Sequence, residues 1–188
     1  MFTQNYINLK KALFEVGANT SYTIQFTKVA GDKLTFVTTS NVQAGELGYH
    51  LKNGVCGNLS EIGYSNTSFN VMCGVFFGSG STPATKNDYK LESPITSGLS
   101  IASPNSLSWD NSIEGRYICS ASFTIQNTTD ADINIYEIGL FTPILSTSSS
   151  YYSVLMERTV LTEPITITAG GTRIVNYKLT FNQTLNVE

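Results

Sequence analysis

The feature that most restricts this chain is the two-residue rhythm of its apolar positions. Tyr22, Ile24 and Phe26 alternate with Thr23, Gln25 and Thr27. The rhythm returns at Tyr117, Cys119, Ala121, Phe123 and Ile125, and again at Val175, Tyr177, Leu179 and Phe181. Successive side chains of a β-strand point to opposite faces, so each such run buries one face and leaves the other polar. The runs are separated by Ala30-Gly31-Asp32, Asn127-Thr128-Thr129-Asp130 and Ala169-Gly170-Gly171, residue types that close tight turns. Short strands spaced in this way predict an all-β fold, an antiparallel β-sandwich or jelly-roll-like domain.

Two stretches depart from simple alternation. The run Ser68 to Phe77 (SFNVMCGVFF) is apolar at most positions and is expected to be buried on both faces. After Ile133 and Ile135 the rhythm changes parity to Tyr136, Ile138 and Leu140, which predicts a bulge or a strand covered on both sides. Further strands are expected over Tyr151 to Val160, Ile165 to Thr168 and Thr172 to Phe181, with only short strands in residues 40–66. Gly78 to Ser106 reads as one long irregular loop holding three of the five prolines, a length that usually signals function or contact with a neighbour.

A three- to four-residue spacing occurs once, at the start. Thr3 can cap a helix, Tyr6, Leu9, Ala12 and Leu13 form its apolar stripe, and Gly17 sits where it would stop. Residues 1–17 are therefore expected to be a short helix that docks on a neighbouring subunit through Tyr6, Leu9 and Leu13, the alternative being a helix folded back over the open end of its own sandwich. Residues 18–188 are expected to form the β-sandwich domain, with its long loop at about 78–106.

Composition narrows the function classes. Charged residues are 13% of the chain and the net charge is −3, with a pI near 5.2; a nucleic-acid partner would call for a basic stripe. No apolar run nears the ~18–20 residues that span a bilayer, so no membrane partner is expected. The opening MFTQNYINLKKALFEVG is not read as a secretory signal, and the five Asn-x-Ser/Thr sites are read as chance in a chain rich in those residues. Cys56, Cys73 and Cys119 are widely spaced and would complete a four-ligand zinc site only with the single histidine, His50. They are read instead as buried thiols of a protein folded in a reducing cytosol.

Groups able to do chemistry are few. His50 has no GxSxG nucleophile to serve. Asp110 and Glu114, and Asp130 and Asp132, are carboxylate pairs of the kind that could act on a glycoside or hold calcium, but they sit among turn residues that normally bond the backbone. Gly78-Ser79-Gly80-Ser81 leads into Thr82-Pro83 rather than a phosphate-cradling helix. The expectation is a protein that is not an enzyme, with no catalytic residues, no cofactor and no metal.

The C-terminal half carries a resemblance. Tyr136-Glu137-Ile138-Gly139-Leu140-Phe141, Leu155-Met156-Glu157-Arg158-Thr159-Val160, Glu163-Pro164-Ile165-Thr166-Ile167 and Ala169-Gly170-Gly171-Thr172 resemble a recurring ending of tailed-bacteriophage virion proteins. The segment Gly74 to Ile95 (GVFFGSGSTPATKNDYKLESPI) is similar to one found upstream of that ending. The resemblance covers roughly residues 70–181. It implies a structural subunit of a phage particle (tail, baseplate, fibre or capsid surface), folded in the host cytoplasm and resident in the virion. Its partners would be copies of itself and other virion proteins. The alternative is a carbohydrate- or receptor-binding module on the outside of such a particle, taking a host-surface glycan. Tyr89, Trp109, Tyr151 and Tyr152 would then be its ligand-facing aromatics.

Overall fold

The computed structural model describes residues 1–8, 22–38, 64–66, 71–102, 106–113, 116–145 and 151–182. Within them the chain is all-β apart from one helical turn at residues 4–8. The strands are β1 (Tyr22–Thr27), β2 (Lys33–Thr38), β3 (Tyr64–Asn66), β4 (Val71–Gly78), β5 (Leu99–Ile101), β6 (Ser106–Ile113), β7 (Arg116–Asn127), β8 (Ile133–Leu145), β9 (Tyr151–Ile167) and β10 (Thr172–Asn182). All pairings are antiparallel. β1 and β2 form a hairpin. One four-stranded sheet runs β3-β4-β8-β9, and in the other β7 lies between β10 and the pair β5 and β6.

The period-two runs do what their spacing dictates. Ala121, Phe123 and Ile125 of β7 and Val175, Tyr177 and Leu179 of β10 are buried, and they share one cluster with Val75 and Phe77 of β4, Ile135, Ile138 and Leu140 of β8, and Val154, Met156 and Ile167 of β9. Both four-stranded sheets thus bury a face in the same core, which Phe26 of β1 also joins. The parity change in β8 is a register shift between Ile135 and Glu137. The shift lets Ile135 before it, and Ile138 and Leu140 after it, all enter that core. The other face of the same sheet is covered too. Phe141 and Leu155 pack with Leu91 from the long loop, and Phe76 meets Phe141 edge-on at 5.3 Å.

Three expectations about element boundaries need correction. The loop predicted at about 78–106 contains a strand, β5, which pairs with the end of β7. The two strands expected at 151–160 and 165–168 are one, β9, because Leu161 to Pro164 bulge out between the Val160–Glu137 and Ile165–Ile135 pairs. Pro164 is tolerated there because a bulged residue owes the ladder no N–H.

The third correction concerns the N-terminus. Residues 1–3 lie along the outer edge of β9: the Thr3 N–H donates to the Met156 carbonyl and the Arg158 N–H to the Met1 carbonyl, each at 3.0 Å. Thr3 precedes the helical turn, but its hydroxyl donates to the Leu155 carbonyl at 2.6 Å instead of capping. Met156 is the extra residue of a second β9 bulge, opposite the step from Leu140 to Phe141, and this bulge turns its carbonyl to the incoming chain. Tyr6 stacks on Phe2 and both pack on this chain's own core. The first turn thus packs on its own chain, as the folded-back alternative expects. Leu9 and Leu13 lie outside the described residues. With Val29 donating to the Ser153 carbonyl at 3.0 Å, the edge of β9 is covered, which removes a template for unwanted strand pairing.

Candidate functional site

The densest polar chemistry lies where residues 79–95 cross β8 and β9. Glu137 is completely buried, and its cross-strand partners are Gly78 on β4 and Val160 on β9. Arg158, opposite Gly139, is the diagonal neighbour of Glu137, within reach of a long side chain. Its Nε donates to Glu137 Oε2 at 2.8 Å, Nη1 to Asp88 Oδ2 at 2.9 Å and Nη2 to Glu92 Oε2 at 3.4 Å. Glu137 also accepts from three loop amides: Ser93 N–H at 2.7 Å, Glu92 N–H at 3.0 Å and Gly80 N–H at 3.2 Å. A strand carboxylate therefore grips the loop backbone while a strand guanidinium grips the loop carboxylates. Buried charges persist only when paired and hydrogen-bonded in this way.

The glycines at the loop entrance are set by this carboxylate. A Cβ on Gly78 would collide with Glu137 and lie 2.7 Å from the Ser93 carbonyl, and one on Gly80 would lie 2.7 Å from Glu137 Oε1. Sequence reading treats Gly78 to Ser81 as a plain turn; their role is close approach of backbone to a buried anion.

A second buried carboxylate lies beyond the β9 bulge, where the chain has changed face. Glu157 accepts from the Tyr177 hydroxyl of β10 at 2.6 Å, the Thr159 hydroxyl at 2.5 Å and the Met1 amino group at 2.8 Å. It ties the two four-stranded sheets together through one polar contact inside an apolar layer.

Burial alone would raise the Asp88 carboxyl, but hydrogen bonds from the Thr85 backbone, Arg158 and the Thr85 hydroxyl outweigh it and hold it below the ordinary range. The Thr82 hydroxyl and backbone N–H likewise lower Glu92. Carboxyls with depressed folded values contribute stability above their unfolded values, and lose it as pH falls through the folded ones. Urea midpoints are therefore expected to hold near neutrality and fall between about pH 5 and pH 2. Proteolytic cleavage within residues 79–95 should increase over the same interval. A midpoint unchanged to pH 3 would show that the network does not hold the loop.

The sequence-predicted residues are not brought together. Tyr89 lies beside Gly31 in the β1–β2 turn, and Lys28 of the same turn sits 4.5 Å over the Tyr152 ring, so both tyrosines lie against one hairpin. The side chains of Trp109 and Tyr151 lie outside the described residues, as do His50, Cys56 and Glu114. Asp110, at the register shift within β6, accepts from the Ser112 N–H at 2.9 Å, and Asp132, between β7 and β8, from the Ala169 N–H at 3.0 Å. Among the described residues no group of three His, Cys, Asp or Glu is placed to hold a metal, and no helix is long and apolar enough to cross a membrane. Glu137, Glu157 and Arg158 were missed as a site. Their signal was present: an acid at 137, and an acid–base pair at 157–158, inside otherwise apolar strand runs.

Fold and site together define an all-β protein whose long loop is locked by buried charge. No protein-family model, curated protein or solved structure matches the chain.

Proposed function

We propose that this protein is a non-enzymatic structural subunit of a tailed-bacteriophage particle, folded in the host cytoplasm and assembled in the virion through contacts with its own copies and with other virion proteins. The observation that carries this reading is where the phage-like segments lie. Gly74 to Ile95, Tyr136 to Phe141 and Leu155 to Val160 are distant in sequence, yet they make one unit around Glu137 and Arg158. The buried charges there are spent on holding backbone, as suits a scaffold more than a site where a charge waits to react. We read the two four-stranded sheets as a β-sandwich, a reading supported by the core they share.

Self-association draws support from β10, which ends its sheet among the described residues and exposes Ile174 at 64%. Such an edge can be extended by a second copy. Light scattering of the purified protein across a concentration series is expected to give a discrete oligomer. A mass-spectrometric inventory of particles released from cells carrying the gene is expected to contain the chain in many copies. A protein that stays monomeric and is absent from the particles would overturn the proposal.

A further inference from the structure

A separate cleft of about 420 Å³ lies between residues 4–8, the β1–β2 hairpin and residues 86–89, a size within the roughly 300–1,000 Å³ of small-molecule sites. Its walls are tied in place. Asn5 is buried, donating to the Thr27 carbonyl at 2.8 Å and accepting from the Thr27 N–H at 2.7 Å. Asn8 donates to the Gln25 carbonyl, and the Gln4 N–H donates to the Lys86 carbonyl at 2.7 Å. The wall at residues 86–89 is also held from behind by Arg158 on Asp88. The cleft is thus pre-formed.

Its lining is polar with one aromatic ring. Lys33, Lys86, Asn87 and Tyr89 all face this space. Lys33 spends one proton on the Thr27 hydroxyl at 2.8 Å. The Lys86 and Asn87 side chains and the Tyr89 hydroxyl have no protein partner among the described residues. Asp88, the one carboxylate of the lining, is held by Arg158, which leaves Lys33 and Lys86 as the cationic groups of the lining. A bare phosphate would use the two ammonium groups but leave the amide and the ring without a role. An amide offers both a donor and acceptors to sugar hydroxyls, a tyrosine ring offers an apolar face to a pyranose with a polar tip beside it, and a lysine is a point charge for a carboxylate.

We propose that this cleft binds a saccharide carrying a carboxylate, with Tyr89 against the ring, Asn87 on hydroxyls, and Lys86 and Lys33 on the acid group. The proposal goes beyond the structural role above and does not depend on it. The test is an array of uronic- and sialic-acid oligosaccharides printed beside their carboxyl-reduced counterparts, probed with the full chain. Binding to acidic spots is expected, with roughly tenfold loss in Lys86→Ala and in Tyr89→Ala, the scale of one removed charge-assisted contact. Lys86 is exposed and Tyr89 half-buried beside Gly31, so the melting temperature of each variant is measured alongside and separates lost binding from lost folding. Silence on every acidic spot overturns the site. Equal binding to the reduced counterparts overturns its acidic preference, and full competition by millimolar inorganic phosphate reduces it to a general anion site.

Discussion

Replacing Arg158 with methionine is expected to lower the unfolding free energy by about 3–5 kcal/mol, the cost of leaving buried charge without its partner. Glu137, fully buried, would lose its only cationic partner among the described residues while keeping three amide donors. Asp88 and Glu92 would lose the contact that draws their loop inward. At roughly 2–4 °C per kcal/mol for a chain of this size, the melting temperature should fall by about 6–20 °C. Trypsin offers a local readout, because Lys86 and Lys90 lie in the loop and should be cut faster in the variant. Adding Glu137→Gln to the variant is expected to restore part of the loss, because a neutral amide is cheaper to bury than an unpaired carboxylate. A single variant within 1 kcal/mol of the parent would mean that the loop is held by its apolar contacts at Leu91 alone.

The core offers the second large effect. Phe123 is fully buried in the middle of β7, in the cluster to which both four-stranded sheets contribute. Phe123→Ala should cost about 3–5 kcal/mol, the lost transfer energy plus the cavity left behind. Ile174→Ala on the neighbouring strand removes a side chain that is 64% exposed and should stay within about 0.5 kcal/mol. Denaturant unfolding of the pair checks both at once. Equal costs would place the apolar layer somewhere other than between these sheets.

The sequence by itself determined the strands that alternate, but not β5 or β6 and not that β9 is continuous. Alternation is a local property: the faces of Tyr22 to Phe26, Ala121 to Ile125 and Val175 to Leu179 follow from a repeat of two, wherever the strands end up. The hairpin turns at Ala30-Gly31-Asp32 and Ala169-Gly170-Gly171 were legible for the same reason, and so was the parity change in β8, because it is written in consecutive residues. Partnership was not legible. Arg158 reaches Glu137 across 21 residues, Glu92 across 66 and Asp88 across 70, and no spacing rule links positions so far apart. The same limit left the first turn open between two resting places. The spacing of Tyr6, Leu9 and Leu13 announces an apolar stripe but not what covers it, and only the tertiary structure, by bulging β9 at Met156 and turning its carbonyls outward, supplied a place on this chain for Thr3 and Tyr6 to settle. Periodicity sets which face of an element is buried; only the packed fold sets what it is buried against, because that depends on which distant backbone and charged groups must satisfy one another out of water.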